Sequence, residues 1–275
     1  MSEPFVGFCS DYGTVDEFVG VCKGVIASIA PRARVVDLTH DLPPHDVAAG
    51  ALALLRSVQY LPEGSLVLAV VDPGVGTDRR LVAVECEEAT LFGPDNGLLA
   101  PAVAVLGGAG RVVALTDAEY HLPAPGPTFA GRDVLAPALA HHAAGVALED
   151  LGEAVDPATL MPGLVGLPRF TPGGAVEAQV WWVDRFGNCQ LNVGPEELAA
   201  LGATPDGRIE VRTDGGVRVA RWVHTYADAK PSELALLVDS YGLCALALNR
   251  RSAAAELGLT GSAPVTLVPP GATVD

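Results

Sequence analysis

The chain has 275 residues, 49% of them hydrophobic, with 31 glycines and 22 prolines. That is enough for two modest domains or one large one, linked by many tight turns. Its net charge is −16, with only two lysines, Lys23 and Lys230; such a surface repels phosphate backbones, which excludes nucleic acid and anionic membranes as partners and favours a small cation.

The apolar runs are broken by charge, Gly or Pro well short of membrane-spanning length. The opening "MSEPFVGFCSDYG" has no basic region followed by an apolar stretch, so no secretory signal is expected and the location is read as cytoplasmic.

Along the first part of the chain, strand-like and helix-like patterns alternate. "FVGFC" reads as a strand, "SDYGTVDE" as a polar loop, and "FVGVCKGVIASIA" as a helix ending at Pro31. "ARVVDLT" is a strand. "HDVAAGALALLRSVQYL" is helical, with Val47, Ala51, Leu54, Leu55 and Val58 on one face. "SLVLAVVD" is apolar throughout, as expected of a strand buried on both faces. The strands "RLVAVEC" and "TLFGPD" follow, then a helix in "NGLLAPAVAVL", a strand in "RVVAL" and a helix in "DVLAPALAHHAAG". Alternation of this kind predicts a mainly parallel α/β sheet over residues 1–160.

The stretch from Ala158 to Gly174 is rich in Pro and Gly and has no period, as in a linker. Beyond it come short β-like segments: "AVEAQVWWVD", "GNCQLNV", "RIEVRT", "VRVARWV", "ELALLVD" and "LCALAL". "PEELAAL" and "RSAAAEL" are short helical candidates. A small antiparallel β domain, a barrel or sandwich, is predicted over residues 175–275. The five cysteines follow no CxxC or HxxxH spacing, so free buried thiols are expected and no metal site.

Ligands of open parallel sheets bind beyond the carboxyl ends of the strands. Three acid-bearing loops fall there: "SDYGTVD" with Asp11 and Asp16, "DPGVGTDRR" with Asp72, and "GPDNG" with Asp95 and Asn96. None forms a phosphate cradle, and carboxylates suit hydroxyls or amines better. Asp11 could take both hydroxyls of a ribose, and Asp16 an ammonium group. Each also has a structural reading, Asp11 as a turn former and Asp16 as a helix N-cap. Asp72 with Arg79 or Arg80 is either an ion pair pinning a loop or half of an active site.

Six segments in order, "SDYGTVDEFVGVCKG", "DLTHDLPPHDVAAGA", "VVDPGVGTDRR", "GPDNGLL", "PTFAGRDVLAPALA" and "VDRFGN", resemble the S-adenosyl-L-methionine (SAM) hydroxide adenosyltransferases. These are adenosine-forming SAM hydrolases related to the fluorinase and chlorinase. The resemblance implies a Rossmann-like α/β N-domain carrying the ribose and water-activating residues. It also implies a β-barrel C-domain giving adenine and methionine contacts across the subunit interfaces of a homotrimer. SAM is then the substrate, and no cofactor is needed.

On this resemblance Asp11 holds the ribose diol and Asp16 meets the methionine ammonium. Asp184, Phe186 and Asn188 contact ligand from the second domain, Asn188 at the adenine edge. Ser240 lies near the methionine carboxylate, and Phe129 and Tyr226 are pocket walls. Asp72 accepts a hydrogen bond from the attacking water and takes its proton, while Arg79 holds Asp72. Related halogenases have no acid at that position. A carboxylate there would repel a halide, so water is favoured.

The family's third polar residue, the histidine of "TFHGRD", is replaced here by Ala130 in "TFAGRD". His141 and His142 fall on a helix eleven and twelve residues on. His45 matches an aromatic pocket position of the fluorinase, and the sequence gives no place to His40, His121 or His224. Two alternatives to hydrolysis follow: a protein that binds SAM or adenosine without turnover, or a halogenase.

Overall fold

The computed structural model describes residues 3–163 and 166–269. The chain forms two compact units, Met1–Val165 and Gly166–Asp275. Two residues of the predicted linker, 164 and 165, lie outside the described residues.

The first unit begins with β1 (Phe5–Ser10), α1 (Phe18–Ile29), β2 (Arg34–Thr39), α2 (Val47–Val58) and β3 (Ser65–Val70). Then come β4 (Leu81–Glu85), β5 (Ala89–Pro94), α3 (Ala100–Val105), β6 (Val112–Ala114), α4 (Ala136–Ala143) and β7 (Glu153–Ala154). The sheet order is β2-β1-β3-β5-β4-β6-β7. The first four strands pair in parallel, and β4, β6 and β7 extend the sheet antiparallel. Residues of β3 are buried along its whole length, as its unbroken apolar run requires of a central parallel strand.

The helices form where the apolar spacing repeats on one face. In α1 the buried residues are Val19, Cys22 and Ile26, which pack with Leu135, Ala136 and Leu139 and with Phe8 and Leu68 of the sheet. In α2 the carboxylate of Asp46 accepts from the Ala49 amide at 2.9 Å, a side-chain N-cap. The path from β1 through α1 leads to β2 on one side, and the path through α2 returns to β3 on the other. The carboxyl ends of β1 and β3 therefore flank a topological switch point, where ligands of such sheets bind.

The second unit contains β8 (Arg169–Phe170), β9 (Val176–Val183), β10 (Cys189–Leu191), α5 (Pro195–Ala200), β11 (Arg208–Thr213) and β12 (Gly216–Trp222). It ends with β13 (Leu234–Val238), β14 (Cys244–Leu248), α6 (Ala253–Leu257) and β15 (Pro264–Val268). Seven strands close on themselves in the order β10-β14-β13-β12-β11-β15-β9, and β8 pairs outside the ring with β9. All pairings in the ring are antiparallel except β12 with β13, which is parallel. Closure removes the sheet edges. Inward residues such as Val176, Val180, Leu191, Val211, Leu236 and Leu246 fill the interior.

The fold is the predicted one, a mainly parallel α/β sheet and a β-barrel. The sequence reading missed β15, which supplies the strand between β11 and β9. The Pro-rich stretch read as a linker is held at both ends. Thr159 and Met161 are hydrogen-bonded within the first unit, and Arg169–Phe170 pairs with β9 in the second. Among the described residues no helix is long and apolar enough to cross a membrane.

Candidate active site

Asp11 and Asp72 leave the sheet from adjacent strands. In the β1–β3 register Ser10 lies opposite Val70, and the Asp11 amide donates to the Val70 carbonyl at 3.3 Å. The Asp11 carboxylate accepts from the His45 amide at 2.8 Å. His45 is exposed and has φ 68°, a left-handed conformation at the turn before α2.

The Asp11 loop is fixed from beneath by His40. Its Nδ1 lies 2.7 Å from the Ser10 hydroxyl, and its carbonyl accepts from Gly13 at 2.8 Å. Its Nε2 lies 3.2 Å from Asp37, too poorly aligned for a full hydrogen bond. Asp37 is bonded in turn by Lys23 at 2.7 Å. Burial pushes the Asp37 carboxyl up, but Lys23 and His40 hold it below its ordinary value. That anion favours a proton on Nε2, leaving Nδ1 to accept from Ser10.

Asp72 follows β3 and is paired with Arg79, not Arg80. Arg79 Nε donates to the two carboxylate oxygens at 2.6 and 2.8 Å, and Nη2 donates to Oδ2. The side chains are 5% and 14% exposed, so the pair is largely removed from water. Asn96 braces the strand end by donating to the Val71 carbonyl at 2.9 Å. Arg80 has a different task. It donates to Asp95 at 2.6 and 2.9 Å and to the Thr159 hydroxyl and carbonyl at 3.0 and 2.6 Å. Asp95 also accepts from the Met161 amide at 2.8 Å, so Arg80 and Asp95 staple the strap before the unit boundary.

Asp16 is exposed. It does not cap α1; Glu17 occupies that position and makes no side-chain cap bond. Phe129 is half-buried in a cluster of edge-to-face rings with Tyr12 and Phe18, at 5.6 and 5.2 Å between centroids. The Arg132 guanidinium lies over its ring, 4.8 Å from the centroid. Ala130 precedes a π-helical turn, Gly131–Leu135, in which the Ala136 amide reaches back to the Gly131 carbonyl. Such turns recur at functional sites.

The Tyr12 hydroxyl lies against Gly131, where any Cβ would collide with it. The space beside Gly131 is therefore already filled. Burial pushes the Tyr12 phenol far above its ordinary range, and the nearby Cys22, Asp11, Asp72 and Asp133 push the same way.

A cavity of about 490 Å³ opens beside the ion pair, walled by Arg79, Thr77, His121, Pro127, Ala130 and Asp133. Sequence reasoning gave His121 no place. Nothing in its spacing relates it to residue 79.

In the second unit Asp184 organises the β9–β10 connection. It accepts from the Phe186 and Asn188 amides at 2.8 and 2.9 Å and from the Asn188 side chain at 2.7 Å. Gly187 has φ 82°, and a Cβ there would strike Ser252. A cavity of about 580 Å³ brings together Asp184, Phe186, Asn188 and Tyr226 with Arg250 and Ser252. Phe186 is 77% and Tyr226 44% exposed, so both aromatic faces remain open to a ligand. Ser240, exposed in the turn between β13 and β14, is not among the residues walling this cavity. The sequence reading overlooked Asn249–Ser252. Adjacent arginines after a strand, in a chain this acidic, were the available signal.

Models of the SAM hydroxide adenosyltransferase N-terminal and C-terminal domains match residues 6–152 and 178–266. An (R)-S-adenosyl-L-methionine hydrolase of Salinispora tropica is 44% identical, over 94% of this chain and 95% of its own length. A fluorinase from an Actinoplanes strain is 28% identical, over 96% of this chain and 97% of its own. The solved structure of an uncharacterized conserved protein from Thermotoga maritima superposes with a TM-score of 0.87 at 29% identity, covering 96% and 99% of the two chains.

Proposed function

We propose for this chain, which belongs to the SAM hydroxide adenosyltransferase family, the hydrolysis of SAM to adenosine and L-methionine. The observation that carries the reading is the desolvated Asp72–Arg79 pair at the switch point, one strand from Asp11. The 5′ carbon of SAM bears a sulfonium, so sulfur leaves as a neutral thioether and a water oxygen takes its place. The reaction balances with water alone and consumes no cofactor.

In this reading Asp72 accepts a hydrogen bond from the attacking water and receives its proton. Arg79 fixes the carboxylate and offsets its charge. Asp11, held by the His45 amide, accepts from the ribose hydroxyls, and Asp16 meets the ammonium group. The Tyr12–Phe18–Phe129 cluster supplies an apolar wall that keeps bulk water out. Asp184, Phe186, Asn188, Tyr226 and Ser240 supply the adenine and methionine contacts. The Salinispora relative is an (R)-S-adenosyl-L-methionine hydrolase, and we assign the R sulfonium as the preferred substrate form. The family resemblance also supports a homotrimer in the cytoplasm, and sedimentation equilibrium tests the trimer.

The test is incubation with (R)- and (S)-SAM in ¹⁸O-water. One adenosine should form per methionine, with one ¹⁸O at the 5′ hydroxyl and the R form consumed faster. Absence of adenosine, even after Ala130→His, would overturn the reading. Ala130 favours one second reading, a protein that holds SAM without turnover. Tight binding by calorimetry with no product would establish it.

A further inference from the structure

The alternation of side chains carries past the end of β3. Leu66, Leu68 and Val70 face the core beneath α1 and α4, as do Val6 and Phe8 of β1. Val71 faces the other way, against Gly50 of α2. Asp72 therefore turns back toward the α1 side, and Tyr12 packs against that same core. The register pairs Val6 with Leu66, Phe8 with Leu68 and Ser10 with Val70, and the Asp11 amide extends it onto the Val70 carbonyl. Two residues beyond that pairing, Tyr12 comes opposite Asp72 on neighbouring strand ends, which run ~4.7–4.9 Å apart in a sheet. The Asp72 carboxylate is near enough to act on the phenol electrostatically.

The Tyr12 hydroxyl is an uncommitted donor. It has no hydrogen-bond partner among the described residues, where its neighbour Ser10 is reached by the amide alone. Nor is it sealed from solvent; the side-chain atoms both sealed and unbonded belong to His40, His121 and Trp181. Phe18 and Phe129 fix the ring at 5.7 and 5.6 Å, and the hydroxyl rests against Gly131, next to Ala130. Burial first, then Cys22 and the carboxylates of Asp11, Asp72 and Asp133, keep the phenol protonated. On the facing carboxylate, Arg79 engages Asp72 Oδ1 once and Oδ2 twice, so Oδ1 keeps a free lone pair.

We propose that Tyr12 is a second catalytic residue, whose phenol donates to the oxygen of the attacking water while that water donates to Asp72 Oδ1. The inference rests on the hydrolase reading of the Asp72–Arg79 pair. An unpartnered donor faces a carboxylate with an open lone pair, and no direct bond joins them; an ordered water takes such a place. Its oxygen has two lone pairs. One accepts from Tyr12, and the other forms the bond to the 5′ carbon as the carbon–sulfur bond breaks and its electron pair goes to sulfur. One water proton passes to Asp72, and the other stays on the new 5′ hydroxyl. Tyr12 keeps its own proton throughout, so it orients the nucleophile without acting as an acid.

Two measurements test this. A high-resolution crystal structure of the ligand-free protein should show one water within hydrogen-bond distance of both the Tyr12 phenol oxygen and Asp72 Oδ1. A phenol bonded directly to a protein group, or no shared water, overturns the proposal, whether or not the protein hydrolyses SAM. The second is a kinetic cycle of Tyr12→Phe and Asp72→Asn. Y12F removes only the hydroxyl and keeps the ring cluster. Loss of that hydrogen bond lowers kcat by about tenfold, with KM and the urea midpoint little changed. In the D72N background the same change should cost less than about threefold, since the two side chains hold one water. A Y12F kcat within about twofold of wild type, a loss that falls on KM instead, or the full loss retained beside D72N overturns the proposal. A wild type without activity at any pH would instead overturn the hydrolase reading, and the crystal structure would still decide the shared water.

Discussion

Asp72→Asn, Arg79→Met and the double variant probe the ion pair directly. At 5% and 14% exposure, the pair lies near the buried limit. There, removing one partner costs about 3–5 kcal/mol because the other charge is left unpaired. R79M strands the Asp72 carboxylate and should cost about 3 kcal/mol or more. D72N keeps one acceptor for Arg79, whose guanidinium can draw water from the adjoining cavity, and should cost about 2 kcal/mol. The double variant leaves no stranded charge. Its cost should fall short of the sum by about 2 kcal/mol, the coupling between the two side chains.

All three tryptophans, Trp181, Trp182 and Trp222, lie in the second unit. Far-UV circular dichroism or hydrogen exchange of α1 and α2, rather than tryptophan fluorescence, must therefore report the unfolding. In the adenosine assay D72N should lose about 10²–10⁴-fold in kcat, the usual range for removal of a general base. A D72N enzyme within threefold of wild type refutes water activation by Asp72. Additive stability losses refute the coupled pair.

Three further outcomes follow from the packing. Gly131→Ala drives a Cβ into the Tyr12 hydroxyl; it should cost about 1–3 kcal/mol in urea unfolding, with a smaller loss in a Tyr12→Phe background. Arg80→Ala releases the Thr159 strap and strands Asp95, which is 4% exposed; it should destabilise the protein by about 2–4 kcal/mol while leaving kcat within a few fold. Burial pushes Cys9, Cys22, Cys189 and Cys244 up to about 12, while the half-buried Cys86 reaches about 11. At pH 8 a disulfide reagent should therefore label Cys86 first and slowly, and all five thiols only in denaturant.

Much of the fold was legible because burial imposes periods. The apolar run of β3 and the helical spacing in α1 and α2 mark a parallel sheet before any contact is known. Strand β15 was not legible. Its sequence, "PVTLV", begins with a proline, and its place between β11 and β9 comes from barrel closure. The same limit applies at the site. Asp11 and Asp72 announce themselves as acids at strand ends. The choice of Arg79 over Arg80 is decided by loop geometry, and Arg80 turns to a carboxylate fifteen residues away. His121 could not be found from spacing, since only the walling of one cavity relates it to Arg79.

The Lys23–Asp37 pair looks like an ordinary surface salt bridge, with side chains 35% and 43% exposed. It is also the outer end of a file of dipoles. The Tyr12 amide points at Ser10 from 3.3 Å, Ser10 at His40, and the His40 ring toward Asp37. Each member sets the direction of the next, so the file has one polarity, anchored by a charge at the solvent boundary. The stiffness of the loop carrying Asp11 is thus set partly from the neighbouring strand β2 and from α1. Neutralising Asp37 or Lys23 should be felt first in the loop that carries Asp11, and, under the proposed function, as weaker recognition of the ribose.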